Sequence, residues 1–92
     1  MPSNTQAFEA SLAAQHYAAA VLIERPAGYA LGNHEHPFDA KALITQGEIT
    51  IAVGGVERCY KAGDVFELAR GTLHTERAGE AGVAYLAGRR SD

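Results

Sequence analysis

The histidines at positions 34, 36 and 74 are the residues of this chain best suited to metal chemistry. Alternate residues of a β-strand point to the same face and lie about 6.6 Å apart, so His34 and His36 would present two imidazoles side by side. Neutral imidazole is the commonest protein ligand for zinc, iron, copper and nickel. The spacing therefore predicts a metal site formed by His34, His36 and His74. The alternative is that all three are ordinary polar residues on strand faces.

The elements that would position these histidines are short strands separated by glycine-containing turns. Such turns recur every 8–12 residues or so, a rhythm typical of a β-sandwich or barrel. A tail and a short helix are predicted for residues 1–15, with Ser3 and Gln6 forming a capping box at the start of a helix over 6–15. Residues 16–92 are predicted to form a single β-domain. Its predicted strands are His16–Arg25, Tyr29–Leu31, Asp39–Gln46, Glu48–Val53, Val56–Tyr60, Val65–Leu68, Leu73–Ala78 and Val83–Ala87.

Turns are predicted at Gly32-Asn33, at Ala62-Gly63-Asp64 and at 79–82. Gly54-Gly55 fits a two-residue hairpin loop, in which both positions need positive φ. Several strands carry apolar or small residues on both faces, as in the segment 40–46. This indicates that part of the outer surface is covered, and a homodimer is the expected state.

Composition excludes several classes of function. The chain has 92 residues, which is enough for one domain, and 47% of them are hydrophobic, which argues against disorder. Its formal net charge is −3 with both signs interspersed, so no nucleic-acid partner is expected. The longest apolar stretch, Tyr17–Ile23, is too short to span a bilayer, so no membrane partner is expected.

Cys59 is the only cysteine, which rules out a disulfide within the chain. A reduced, buried or half-buried thiol is predicted. The N-terminal residues show no basic start followed by an apolar run, so no signal peptide is expected. Together these features predict a cytoplasmic protein.

Two segments with regularly spaced glycines and histidines follow one another along the chain. The first contains Gly32, His34, His36 and Gly47, and the second contains Gly63, Gly71 and His74. They resemble the two sequence motifs of the cupin superfamily and, with their spacer, cover residues 32–78, about half the chain. The resemblance implies an all-β fold, a double-stranded β-helix (a jelly-roll-like barrel), with the short helix at its N-terminus.

The chain departs from the cupin pattern at three positions. Ala40 stands where the family's glutamate ligand usually lies, Ala69 replaces the usual proline, and Ala78 replaces the usual asparagine. The resemblance thus implies a site of three histidines without that carboxylate. Some cupins work with three histidines alone, notably iron enzymes that oxidise thiols or cleave diketones.

Glu76 is the best candidate for a catalytic residue because it lies two residues after His74 and shares its face. It would replace the missing carboxylate ligand, act as a general base, or be a solvated strand residue near the barrel mouth. Phe38 is expected to line the mouth of the site. Tyr29, Phe66 and Tyr85 are expected in the core or the pocket wall. Asp39 and Lys41 are predicted to form an exposed pair, and His16 to be exposed or at the core edge.

The predicted function is that of a metal-binding barrel acting on a small molecule. Its cofactor would be one divalent ion, with iron, zinc, nickel, copper and manganese left open. With no carboxylate at position 40, the ion would favour a small anionic ligand. The concrete form is a three-histidine, oxygenase-type enzyme with Glu76 as base. The alternatives are a non-catalytic ligand-binding or sensing module, and a metal-free barrel whose site has degenerated.

Overall fold

The computed structural model describes residues 4–91 and shows an all-β fold with one short helix at its N-terminus. This confirms the predicted fold class. The helix, α1, spans Asn4–Ala14. The six strands are β1 (Val21–Arg25), β2 (Ala30–His34), β3 (Asp39–Val53), β4 (Val56–Lys61), β5 (Val65–Leu68) and β6 (His74–Arg90).

Strands β3 and β6 form the centre of the structure and pair antiparallel along almost their whole length, from Asp39 opposite Arg90 to Ala52 opposite Thr75. The first half of β3 pairs with β5, and its second half pairs with β4. The last half of β6 pairs with β1, and its first half pairs with β2. Two four-stranded layers result, ordered β1-β6-β3-β5 and β2-β6-β3-β4, and they share the two long strands.

The two long strands change layer at a pair of glycines. Gly47 in β3 has φ 70° and Gly82 in β6 has φ 77°, a backbone region that glycine enters without steric cost. A Cβ at Gly47 would collide with the carbonyl oxygen of Gly82. The β3–β6 pairing is irregular on both sides of Gly47, between Ile44 and Gln46 and between Gly47 and Ile49. Bulges of this kind bend a strand and increase its twist.

The bends explain why three predicted boundaries are wrong. The segments 39–46 and 48–53 were predicted as two strands but form the single strand β3, and the turn predicted at 79–82 lies inside β6. The Gly32-Asn33 turn lies inside β2, where the pairing shifts between Leu31 and His34. In each case a bulge takes the place of a turn, because glycine at these positions permits an irregularity without ending the pairing.

Other predicted elements agree more closely with the structure. Gly54 and Gly55 form the hairpin loop with φ 58° and 82°, and Val65–Leu68 is β5. The strand predicted from His16 begins only at Val21. His16 is exposed, has φ 64° and lies in the turn that follows α1. The predicted helix cap at Ser3 lies outside the described residues.

The main core lies between the two layers, and a smaller one lies beneath the helix. In the smaller core, Phe8 and Leu12 of α1 pack against Leu43 on the outer face of β3. The helix therefore covers part of the outer surface for which a partner subunit was expected. The main core contains Ala42, Ile44, Ile49, Ile51, Phe66, Val83 and Tyr85.

Two surface predictions are wrong. Lys41 is only 9% exposed, because its ammonium group lies under α1 and donates to Ser11 Oγ at 3.2 Å and Gln15 Oε1 at 3.1 Å. Asp39 is 3.0 Å from Arg90 rather than paired with Lys41. The prediction of a buried or half-buried thiol at Cys59 is also wrong. Cys59 is exposed on strand β4, where its thiol donates to Glu48 at 2.6 Å. Within residues 4–91, no helix is long and apolar enough to cross a membrane.

Candidate metal centre

The structure brings His34, His36 and His74 together at one end of the space between the layers. His34 is the last residue of β2 and pairs directly with His74, the first residue of β6. His36 follows two residues later, in the loop before β3, so only one member of the His34–His36 pair lies on a strand. The candidate ligand atoms of the three side chains all lie within 4.8 Å of one another. The three histidines thus lie together, as their spacing predicted. His34 and His74 reach the cluster from strand ends, whereas His36 reaches it from a loop.

Backbone carbonyls fix the orientation of two of the three rings. His34 Nδ1 is 2.7 Å from the carbonyl oxygen of Gly32, and His74 Nδ1 is 2.9 Å from that of Thr72. Because a carbonyl only accepts, each Nδ1 must donate a proton, and in the neutral ring each Nε2 carries a lone pair. A ligating histidine in metal sites is commonly held in the same way through its second nitrogen.

His34 Nε2 is the polar atom that best tests whether this site fits a metal. It is buried, and among the described residues it has no hydrogen-bond partner. A buried acceptor left unsatisfied costs about 1–3 kcal/mol, so folded proteins rarely retain one without a reason. A cation bound at Nε2 would remove that cost. The donor set thus fits a divalent transition metal ion.

The carboxylate of Glu76 lies beside the Nε2 atoms of His34 and His74. Its Oε2 is 3.2 Å from His74 Nε2 and 3.6 Å from His34 Nε2. Its other oxygen accepts a hydrogen bond of 2.9 Å from the Tyr29 hydroxyl. Three acceptor atoms facing one another repel unless a proton or a cation lies between them. Ligands held at about 2.0–2.2 Å in a tetrahedral site are themselves about 3.3–3.6 Å apart, which matches this spacing.

Burial favours the neutral forms of three groups around the site, His36, Tyr29 and Tyr85. The pKa of His36 lies below its ordinary value, first because of burial and then because of the neighbouring His34 and His74. Burial raises the pKa of Tyr85 to about 12 and, together with the Glu76 hydrogen bond, also raises that of Tyr29. At neutral pH the two phenols are therefore proton donors and His36 is an uncharged imidazole.

A cavity of about 130 Å³ opens beside the histidines, between the layers. Tyr29, Phe38, Phe66 and Tyr85 line it, as expected from the sequence. The Phe38 ring stacks on His36 with 4.8 Å between centroids. Ala40, at the position of the missing glutamate, also faces the cavity.

Comparison with known proteins identifies the fold. No protein-family model and no curated protein matches the sequence. Among solved structures, the cupin domain of Cnp3 from Schizosaccharomyces pombe superposes with a TM-score of 0.72 at 25% identity, covering 80% of this chain and 56% of that one. The chain therefore has the cupin fold. Other cupin structures, such as an RmlC-like cupin from Shewanella frigidimarina at 24% identity, agree with this assignment.

Two further structures resemble this chain to a similar degree. KdgF from a Halomonas species has a TM-score of 0.71 at 23% identity, covering 80% of this chain and 68% of that one. The DMSP lyase DddQ from Ruegeria pomeroyi has a TM-score of 0.71 at 28% identity, and the match covers 80% of this chain. The match spans only 38% of the DddQ chain.

Two residues of the site were missed by reasoning from the sequence. Tyr29 was expected only as a wall aromatic, yet its hydroxyl holds Glu76. Arg89 was not predicted as a site residue, yet it lines the cavity. Arg89 has the same parity as Tyr85 and Ala87, which indicates that the three side chains share one face of a strand. The predicted strand, however, ended at Ala87, two residues before it.

Proposed function

We propose that this cupin is a metal-dependent enzyme whose single divalent ion is bound by Nε2 of His34 and His74 and by a ring nitrogen of His36. The observation that carries the proposal is the buried Nε2 of His34, which has no hydrogen-bond partner among residues 4–91 while its Nδ1 is bonded to a carbonyl. Iron, zinc, nickel, copper and manganese all accept imidazole ligands, so the proposal does not depend on one of them.

Glu76 is the proposed proton acceptor, and its carboxylate also offsets part of the charge of the cation. Its Oε2 faces the imidazole nitrogens, and Tyr29 holds its Oε1 in place. A bound divalent ion would supply Lewis acidity to an oxygen atom of the ligand. Glu76 would then take a proton from the ligand, while the aromatic side chains of the cavity wall limit the access of water. That DddQ, on a similar scaffold, is a lyase supports a reaction of this kind.

Metal analysis of untagged protein tests the binding half of this proposal. We expect one equivalent of metal per chain and a loss of metal affinity of 100-fold or so when His36, which lies in a loop, is changed to alanine. His16→Ala is the matched control, because His16 is exposed and lies outside the cluster. Folding of both variants is verified by circular dichroism. Substoichiometric metal together with no uptake of added cobalt(II) would contradict the proposal and favour the alternative of a metal-free barrel whose site has degenerated.

Proton transfer tests the catalytic half. Metal-loaded protein is incubated in D₂O with a panel of small 2-oxo and 3-hydroxy carboxylates, and deuterium exchange at carbon is followed by NMR. Glu76→Gln should lower the exchange rate at least about 100-fold, in line with the contribution of a general base. If no compound exchanges, the non-catalytic binding module is the better description. Oxygen uptake with thiols and diketones tests the oxygenase-type reaction predicted from the sequence.

A further inference from the structure

Arg89 places a positive charge at the rim of the cavity. Its guanidinium carbon lies 4.5 Å from the centroid of the Phe38 ring, which in turn stacks on His36. Arginine, phenylalanine and histidine thus form one layered wall next to the metal centre. Stacking on an aromatic face restricts the guanidinium without using its hydrogen-bond donors, which remain available to a ligand.

No carboxylate neutralises this arginine among the described residues. By contrast, Arg77 is 2.7 Å from Glu57, and Arg90 is 3.0 Å from Asp39. Directly opposite Arg89 on β3 is Ala40, and both residues line the cavity. Side chains directly opposite each other on paired strands lie about 4.5–5.5 Å apart at Cβ, so a carboxylate at position 40 would reach Arg89. Alanine there leaves the guanidinium unpaired.

The cavity therefore has an excess of positive charge. Arg25 and Arg89 line it, and Glu76 is the only carboxylate among the residues lining it. Arg25 is itself engaged, since its guanidinium carbon lies 5.1 Å from the Tyr29 ring centroid. A divalent ion at the three imidazoles would add two further positive charges. Arg89 is the cation best placed to meet a bound anion.

The size of the cavity limits the anion. Its volume is about 130 Å³, slightly below the roughly 150 Å³ of an engineered cavity that binds benzene. A ligand of five or six non-hydrogen atoms fits that space. We propose that Arg89 binds the carboxylate of a short-chain carboxylic acid of this size, whose other end faces the three histidines. This assignment of substrate class rests on the proposed function and names the residue that selects it.

Calorimetric titration with two isosteric probes, propionate and propionamide, tests the assignment. Arg89→Gln should weaken propionate binding at least about tenfold, because a charged hydrogen-bonding group is lost, and should change propionamide binding less than about twofold. Arg58→Gln is the matched control, since Arg58 is an exposed arginine on β4 outside this cavity. Equal losses for both probes, no loss, or no propionate binding to the unaltered protein would overturn the assignment.

The titrations are run on metal-loaded and on metal-free protein, which separates this inference from the proposed function. Failure to bind metal defeats the proposed function alone, because the effect of Arg89→Gln is still measured on the metal-free chain. Ala40→Glu provides a second variant, in which a new carboxylate competes for Arg89. In the metal-free protein it should lower propionate affinity about tenfold or more and leave propionamide affinity unchanged. Unchanged propionate affinity in Ala40→Glu would also overturn the assignment.

Discussion

At the scale of single residues, the orientation of His34 and His74 is set before any ligand arrives. Each ring donates from Nδ1 to a carbonyl two residues earlier in the chain, the His34 ring to Gly32 and the His74 ring to Thr72. A ring already held in its ligating orientation does not lose that freedom when a metal binds. The conformational entropy of these two rings was lost during folding, when β2 and the start of β6 formed.

Metal affinity should fall as the pH drops below about 6.5, because protons compete with the ion for the imidazole nitrogens. His36 has a pKa below its ordinary value in the folded chain, so it remains an uncharged ligand to lower pH than a free imidazole does. As the pH falls from about 6.5 towards that lowered pKa, the unfolded chain binds the proton first, and the contribution of His36 to stability is lost. Competition with a zinc-sensitive chelator from pH 8 to pH 5 measures the affinity. A flat profile contradicts imidazole coordination.

Tyr29→Phe should weaken metal binding about tenfold, the lower end of the effect of removing an outer-shell group that positions a residue beside the metal. The Tyr29 hydroxyl holds one oxygen of Glu76, and without it the carboxylate is free to leave the imidazoles. Tyr60→Phe is a suitable control, because the Tyr60 ring packs against Phe66 in the core, away from the histidines. The same chelator assay applies. Equal affinities for Tyr29→Phe and the unaltered chain would show that Glu76 needs no such support.

At the scale of elements, the bulges decide which side chains face the site. In a regular strand, side chains alternate between faces, so Ile44 and Ile49 would point to opposite sides. Both lie in the same core, because the irregular pairing around Gly47 shifts the alternation by one residue. The sequence contains this shift as a change of parity near position 47. A turn between two strands and a bulge within one strand both produce such a change, so the pattern alone did not distinguish them.

Gly47→Ala should destabilise the fold by about 2–4 kcal/mol or prevent folding. The residue has φ 70°, and a methyl group there would collide with the carbonyl oxygen of Gly82. Gly32→Ala is the matched control, since a methyl group at Gly32 meets no atom within 4 Å, and its effect should stay below about 1 kcal/mol. Urea unfolding measures both. Similar losses for the two variants would show that the Gly47–Gly82 contact does not constrain the bend.

At the scale of the whole molecule, the sequence predicted the architecture better than it predicted the boundaries and contacts. The glycine-bounded rhythm and the two histidine segments were sufficient for the fold and for the convergence of His34, His36 and His74. The position of Arg89 opposite Ala40 was not accessible in this way, because it depends on the register of two distant strands. Burial of Lys41 was missed for a similar reason, since the pattern of β3 does not show that α1 covers it.

A homodimer remains a prediction, and strand β1 is its most suitable interface. Within residues 4–91, β1 pairs on one side only, with β6, and it carries Val21 and Leu22 at 63% and 55% exposure. An apolar edge strand of this kind readily pairs with another copy. Light scattering should give twice the chain mass of 9.7 kDa. Leu22→Lys should reduce it to the monomer mass, whereas Leu73→Lys, at an equally exposed leucine outside the strands, should not. A monomer mass for the unaltered chain at micromolar concentration contradicts the dimer.

Strand β6 carries His74 and Glu76 at one end and Tyr85 and Arg89 at the other, and all four point inward only because the bend at Gly82 falls between them. The two ends have opposite parity along the chain. Removing or inserting one residue within 79–82 would restore regular alternation and turn one of the two ends outward. The hairpin at 54–55 carries no such constraint, so we expect insertions and deletions to be tolerated there and to disrupt the fold in the middle of β6.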